Sequence, residues 1–245
     1  MYIIVAMMLL ADQPFTSHKI ELTEAVQIAE KVQTYLVENV KDYTGLLIKR
    51  EYVNGKDTGH QYLRFKFREN PLSIYLKFQK PASLQNREIL YHGGDEILVK
   101  RGGRKNSNLT LAIAANSPLA SEDNRYTINE MGLKKLTEKL IVQLKTEMVI
   151  PDTEIIVYDN AKLDGRIITH YRMIHHTKTD ATLSRQAEIS IDKELNIPIY
   201  YRAIGWGEPT IVLEEYAFRD IVLNVGLTDE DFSESNQEYG FQKKN

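Results

Sequence analysis

The sequence contains no cysteine in its 245 residues. This absence excludes disulfide bonds, thiolate catalysis and cysteine-ligated zinc or iron–sulfur sites. An excess of one charge is also missing, because 31 Lys and Arg residues stand against 34 Asp and Glu residues and leave a formal net charge of -3. No overall field therefore draws the chain to nucleic acid or to an anionic membrane. The hydrophobic fraction of 42% is ordinary for a globular protein and supports a core without disulfides or metals.

Long hydrophobic runs are lacking as well. The apolar run at residues 2–10 falls far short of the roughly 20 residues that span a bilayer. Its length, and the small residue Ala11 that follows it, are typical of a signal peptide, although no Lys or Arg precedes it. We therefore predict a signal-peptide remnant at residues 1–11 and an exported protein, periplasmic or secreted. A buried first strand is the alternative for this run.

Hydrophobic periodicity predicts two amphipathic helices. Apolar residues recur at steps of three and four over residues 21–40 and over residues 129–148, where Leu133, Leu136 and Leu140 lie on one stripe. The remaining chain has the period-two pattern of strands. The predicted strands cover residues 43–53, 60–69, 72–79, 88–92, 96–100, 154–158, 166–175, 185–191, 197–206 and 211–225. Residues 109–115 form a further apolar segment.

The order of these elements predicts an α+β fold. Strands follow one another through short turns without alternating helices, which favours a single large antiparallel sheet. Long strands that are apolar on one face indicate a strongly curved sheet or an open barrel, with the two helices covering its concave face. No repeat and no Gly-, Ser- or Pro-rich linker divides the sequence. We predict one domain over residues 20–232 and a polar tail at residues 233–245.

Several segments resemble an uncharacterised family of secreted bacterial proteins near the lipoprotein-carrier (LolA/LolB-like) fold. In the second half, residues 191–198 and 216–232 are similar to the closing hairpin and C-terminus of that fold; in the first half, the segments at 43–45, 70–78, 87–91 and 124–133 resemble the uncharacterised family. The resemblance covers roughly residues 40–232. It implies an open barrel with helices at its mouth that binds an acyl chain or another apolar ligand between sheet and helices.

Three histidines on one predicted strand are candidate metal ligands. Alternation places His170 and His176 on one face, about 20 Å apart, and His175 on the other, so this strand alone cannot seat one metal ion. We expect histidines at the surface or at a pocket rim, and no metal or cofactor.

Acidic side chains on the last strand are candidates for paired carboxylates. Glu214 and Glu215 point to opposite faces, and Glu214 and Asp220 stand about 20 Å apart, beyond the range of glycosidase pairs. We expect a solvated strand face here and no catalytic residue. The sequence also has no Gly-x-Ser-x-Gly, phosphate-binding or His-Glu-x-x-His motif.

Two clusters of basic residues are candidate contact sites for a binding partner. One is the strand face with Arg64, Lys66 and Arg68, and the other is a basic loop at residues 100–105 that begins with Lys100. Both are expected to be solvated, with contact to anionic head groups or a protein as the alternative. Nucleic acid is disfavoured, because the net charge is negative and Phe65 and Phe67 of this strand point to the core. We expect peripheral or transient membrane contact at most.

The function predicted from these observations is that of a non-enzymatic exported binding protein for an acyl chain, a lipid or a lipoprotein. One alternative is an envelope structural or interaction protein with a fully packed core. The alternative with least support is a hydrolase, because the spacing of the sequence identifies no catalytic residues for it. The predicted groove lining consists of apolar residues from two strands and the second helix: Phe65, Phe67, Leu72, Ile74, Leu76, Phe78, Leu133, Leu136 and Leu140.

Overall fold

The computed structural model describes residues 16–103, 109–122, 124–150 and 152–241. The predicted apolar run at residues 2–10 lies outside these residues. Within them the chain forms α1 (Leu22–Asn39), α2 (Pro118–Ser121) and α3 (Leu133–Glu147), with short 3-10 turns at Ile128–Glu130 and Asp229–Phe232. No helix in this part of the chain has both the length and the hydropathy of a membrane span.

Thirteen strands account for most of the remaining described residues. They are β1 (Ser17–Ile20), β2 (Asp42–Val53), β3 (Lys56–Asp57), β4 (Gln61–Glu69), β5 (Leu72–Lys80), β6 (Glu88–Tyr91), β7 (Glu96–Lys100), β8 (Thr110–Ala114), β9 (Thr153–Leu163), β10 (Arg166–His175), β11 (Gln186–Asp192), β12 (Pro198–Ile204) and β13 (Val212–Leu223). They form one large antiparallel sheet that does not close on itself within the described residues, so the predicted fold class is confirmed.

The chain divides into two compact units. The first unit contains residues 1–35 and 137–213, and its strands are ordered β1-β9-β10-β11-β12. Its core joins the two helices to the sheet through Ala25, Ala29 and Leu144 on the helices and Ile155 and Met173 on the strands. The small residues on α1 let the helix approach the strands closely.

The second unit contains residues 36–136 and 214–245. Its strands are ordered β13-β2-β4-β5-β6-β7-β8, and β3 forms a hairpin with β2. Tyr43 stacks on Phe67 with ring centroids 4.9 Å apart, and its hydroxyl accepts a hydrogen bond of 2.9 Å from the backbone N–H of Leu133. This aromatic contact fixes the first turn of α3 against β2 and β4.

Residues 227–241, the C-terminal segment, pack against the sheet of the second unit. Phe232 and Phe241 are buried with Tyr75 and Leu90, and the ring of Tyr239 stacks on Tyr75 at 3.8 Å. Tyr75 alternates along β5 with the predicted groove residues Ile74 and Leu76 and therefore lies on the opposite face of the strand. It is nevertheless only 5% exposed, because the C-terminal segment covers this face.

The same segment neutralises the basic strand face. Lys66 pairs with Asp231 at 2.8 Å, and Arg68 pairs with Asp229 at 2.8 Å. The guanidinium of Arg68 also lies over the ring of Phe232, 5.0 Å from its centroid. Lys66 and Arg68 are therefore half-buried rather than solvated, because acidic residues far along the chain fold onto them.

Candidate ligand-binding cavities

The first unit contains an apolar cavity of about 60 Å³ between its helices and its strands. Four residues of α1 and three of α3 form one wall, and side chains from β9 to β12 form the other. The lining residues are Ala25, Ile28, Ala29, Val32, Thr137, Leu140, Leu144, Ile155, Tyr171, Met173, Ala187, Ile189, Ile191 and Pro198.

Small side chains create this hollow. Met173 of β10 pairs in register with Ile155 of β9 on one side and with Ala187 of β11 on the other, so the three side chains form a row across the sheet. The side chain of Ala187 in that row is short, and so is the side chain of Ala29 on the α1 wall, so both positions leave space in the core. Alternation and helical period predict that these positions are buried, but not that alanines of a helix and of a strand line the same cavity.

A buried ion pair lies at the C-terminal end of α3. His175 Nε2 is 3.3 Å from Glu147 Oε2, with side-chain exposures of 0% and 1%. His175 Nδ1 bonds to the backbone oxygen of Ser184 at 2.8 Å. Burial alone would lower the pKa of His175, but the hydrogen bond and the charge of Glu147 outweigh it and raise the pKa. The pair ties the last turn of α3 to the end of β10.

The predicted surface or rim position is wrong for two of the three histidines. His170 is fully buried, and its Nδ1 lies 3.0 Å from Ser190 Oγ on the neighbouring strand. Burial lowers the pKa of His170. His175 is buried because α3 covers it, and His176 alone is exposed, 3.4 Å from Glu154. The described residues contain no group of three or more His, Asp or Glu side chains arranged to hold a metal ion.

The second unit contains its own cavity, of about 50 Å³, lined by aromatic and aliphatic side chains with polar groups at one end. Strands β13, β2, β4 and β5 supply one wall, and residues 124–136 supply the other. The lining residues are Tyr43, Leu47, Lys49, Glu51, Phe65, Phe67, Leu76, Asn124, Tyr126, Met131, Gly132, Leu136, Tyr216 and Phe218.

The polar end of the second cavity is built around two buried glutamates. Glu51 and Glu214 face each other in register on β2 and β13 and are 2% and 5% exposed. The hydroxyl oxygen of Tyr216 lies 2.5 Å from Glu51 Oε1 and 3.2 Å from Glu214 Oε2. Lys49 pairs with the other oxygen of Glu51 at 2.9 Å, and Tyr126 donates to Glu214 at 3.2 Å.

One proton cannot serve both contacts of Tyr216. A hydroxyl donates once, and the shorter distance assigns that bond to Glu51. Tyr126 supplies the proton for a hydrogen bond to Glu214, and Arg125 lies 3.6 Å from the same carboxylate. Burial, with the nearby charge of Glu51, raises the pKa of Glu214, whereas Arg125 and the two tyrosines act in the opposite direction.

The prediction of a solvated acidic face on the last strand is wrong. Glu214 and Glu215 do point to opposite faces, but both are buried, and Glu215 lies 3.1 Å from His60. A bulge with positive φ at Asp220 breaks the alternation that placed it on the face of Glu214. The Asp220 side chain is exposed and pairs with Arg64 at 3.1 Å.

One residue of the predicted basic loop is also buried. Lys100 Nζ lies 3.0 Å from Glu88 Oε1, and the two side chains are 9% and 2% exposed. Tyr75 and the backbone N–H of Gly240 donate to the other oxygen of Glu88, at 3.0 and 2.8 Å. Most of the remaining loop lies outside the described residues.

The predicted groove residues are divided between the two units. Phe65, Phe67, Leu76 and Leu136 line the second cavity, and Leu140 lines the first. The other four are packing positions, of which Leu72 is half-buried and three are buried: Ile74, Phe78 and Leu133. The polar end of the second cavity was not predicted, since its members come from residues 49–51, 124–126 and 214–216.

Comparison with solved structures finds several proteins of similar fold and low sequence identity. Lipoprotein LppX from Mycobacterium tuberculosis is 12% identical, with 84% of this chain and 98% of that chain covered and a TM-score of 0.49. A putative outer membrane lipoprotein-sorting protein domain from Vibrio parahaemolyticus is 11% identical, with coverages of 87% and 97% and a TM-score of 0.41. A LolA superfamily protein from Nitrosomonas europaea is 10% identical, with coverages of 84% and 96% and a TM-score of 0.35.

No curated protein sequence matches the chain. A family model does match, over residues 40–241, which is most of the sequence and includes the second cavity, the strand and α3 residues of the first cavity, and the C-terminal segment, but not the α1 residues of the first cavity. The predicted membership of an uncharacterised family is thereby confirmed. The chain belongs to the DUF1571 family, described as proteins of unknown function.

Proposed function

We propose that this protein is an exported, non-enzymatic binding protein that holds an acyl chain of a lipid or lipoprotein in the first cavity. The observation that carries the proposal is the composition of the wall: aliphatic side chains and three alanines surround a hollow between two helices and the sheet. An unfilled apolar hollow is costly to leave in a core, since its lining loses packing contacts.

The size of the cavity limits what it holds without rearrangement. A volume of about 60 Å³ has room for about four to six water-sized groups. At about 0.8 kcal/mol for each buried methylene, that segment of chain would contribute about 3–5 kcal/mol. A longer chain needs the wall to open. We propose that α3 moves, because Leu140 and Leu144 lie on that wall and a polar ion pair holds the helix end.

The first experiment is native mass spectrometry on protein purified without detergent, followed by unfolding and identification of released lipid. A stoichiometric adduct that dissociates on unfolding is expected, and its mass identifies the ligand class. A bare mass that persists after incubation with phospholipid and acylated peptide would favour the alternative, an envelope interaction protein with a packed core.

Ala29→Leu tests the position of the ligand. The added side chain fills the hollow from α1, so binding is expected to fall at least tenfold while the ligand-free protein becomes more stable by about 0.5–2 kcal/mol. Gln27→Leu is the matched control, because Gln27 is exposed on the same helix. Equal affinity in Ala29→Leu and in the control would place the ligand elsewhere.

Export is tested separately, since residues 1–11 lie outside the described residues. Fractionation of cells that express the full chain is expected to recover it in the envelope fraction, with the N-terminal run removed. Recovery of the intact chain in the cytosol would contradict export without affecting the cavity.

A further inference from the structure

The second cavity is amphipathic, and the function proposed for the first cavity assigns nothing to it. Its walls are rings and aliphatic chains such as Phe65, Phe67 and Leu136, whereas one end presents Glu51 and Tyr216. An apolar pocket with a few convergent polar groups at one end is the usual form of a small-ligand site.

The charges at the polar end are compensated within the protein. Lys49 pairs with Glu51 at 2.9 Å, and the side chains are 4% and 3% exposed. Arg125 lies 3.6 Å from Glu214. A ligand that brought its own charge to this end would bury that charge without an opposite partner, which costs several kcal/mol. The end is therefore unfavourable for both carboxylates and alkylammonium ions.

The neutral hydrogen-bonding groups at this end are two tyrosines and an amide. Burial and Glu214 raise the pKa of Tyr126, and burial with Glu51 and Glu214 raises the pKa of Tyr216, so both hydroxyls stay protonated. Asn124 accepts from Lys49 at 2.5 Å through its oxygen, and its amide nitrogen is a donor on the same wall. The hydroxyl and amide groups of this cluster can donate hydrogen bonds to a ligand hydroxyl or ester, and its oxygen atoms can accept a hydrogen bond from a ligand hydroxyl.

From this juxtaposition we infer that the second cavity binds a neutral amphiphile, an apolar chain that ends in a hydroxyl or an ester. The cavity of about 50 Å³ holds about three to five methylene-sized groups of the chain among the aromatic and aliphatic side chains, and a longer chain needs the wall at residues 124–136 to move. The head group bonds to Tyr126, Tyr216 and Asn124 without altering the ion pairs. Selectivity against charged amphiphiles of equal chain length follows from the compensated charges.

The test compares three probes of equal chain length with the full chain: 1-monolauroylglycerol, laurate and dodecylammonium, each below its micelle concentration. Calorimetry is expected to show at least tenfold tighter binding of 1-monolauroylglycerol than of either charged probe. Equal or tighter binding of a charged probe at this cavity, or no binding of any probe, would overturn the inference.

Two variants locate the binding. Tyr126→Phe removes one hydroxyl at constant shape and is expected to weaken 1-monolauroylglycerol binding about 2- to 10-fold, the range for one hydrogen bond. Tyr158→Phe, in the first unit, is the matched control and is expected to bind normally. Leu136→Trp fills the cavity and should abolish binding; if it fails to fold, Tyr126→Phe still decides the result.

The outcome separates this inference from the function proposed for the first cavity. Ala29→Leu should leave 1-monolauroylglycerol binding unchanged. If Ala29→Leu abolishes that binding while Leu136→Trp and Tyr126→Phe do not affect it, the amphiphile occupies the first cavity. The inference is then wrong, and the function proposed for the first cavity stands.

Discussion

The C-terminal segment should contribute measurably to the stability of the second unit. Phe241 is 7% exposed and packs with Tyr75, Leu90 and Phe232, and its ring meets Tyr239 edge-on at 6.2 Å. Gly240, beside it, donates its N–H to the buried Glu88. Phe241→Ala removes the side chain that anchors this end of the chain over β5 and β6.

The expected loss of unfolding free energy is about 3 kcal/mol. Buried Phe→Ala changes cost about 3–5 kcal/mol, and the lower value applies because a chain end relaxes into the space more easily than an interior strand. With a urea m-value of about 2–3 kcal/mol per M, the midpoint should fall by about 1–1.5 M. Part of this loss reflects the buried pair of Glu88 and Lys100, which becomes accessible when the segment detaches.

The assay combines urea unfolding with hydrogen–deuterium exchange. Exchange localises the effect, and peptides covering residues 72–80 and 88–100 should exchange faster in Phe241→Ala than in the unmodified chain. Gln237→Ala, an exposed position in the same segment, is the control and should change neither measurement. An unfolding free energy within about 0.5 kcal/mol of the parent, with unchanged exchange, would refute the packing described for this segment.

Two other perturbations test the fold at single contacts. His175→Gln should lower the free energy of unfolding by about 3 kcal/mol near pH 5.5, and this loss should shrink as pH rises through the folded pKa of His175. The reason is that the folded pKa is raised and that the pair with Glu147 stabilises the protein only while His175 is charged. A loss that does not change with pH in urea titrations would contradict this pH dependence. Gly132→Ala should destabilise by more than Gly55→Ala, because both residues have positive φ but a Cβ at Gly132 would lie 2.3 Å from the Phe67 ring whereas Gly55 has open space; equal melting temperatures would argue against that close approach.

Much of the secondary structure could be predicted because its signals are local. The predicted bounds of β7 and β10 match the structure residue for residue, since alternation and turn residues delimit each strand. In contrast, β9 is predicted to end at residue 158 and continues to Leu163. Asn160, with φ of 57°, marks an irregularity near the register shift with β10. A polar Asp-Asn pair inside a strand resembles a turn, and only the partner strand shows that pairing continues.

Buried charges were the least predictable feature. A lone glutamate on a strand is normally solvated, so Glu51 and Glu214 gave no signal of burial. Contacts that bury them join distant parts of the chain, since Tyr216 lies 165 residues from Glu51 and Tyr126 lies 88 residues from Glu214. The burial of such a group depends on which strands become neighbours. That information is a property of the topology, and the spacing within one segment does not contain it.

The two cavities show the same limit for apolar residues. Periodicity identifies which face of a strand or helix is buried, but a hollow forms where short side chains from separate elements line the same space, as Ala29 and Ala187 do in the first unit. The long residues Phe65 and Leu140, which periodicity groups into one groove, line two different cavities. A stripe of large apolar residues therefore predicts a core, whereas small residues opposed across a helix–sheet interface predict where that core has room for a ligand. This difference is why the substitutions that test binding are additions of volume at an alanine or a leucine, and why truncating the large residues would test stability instead.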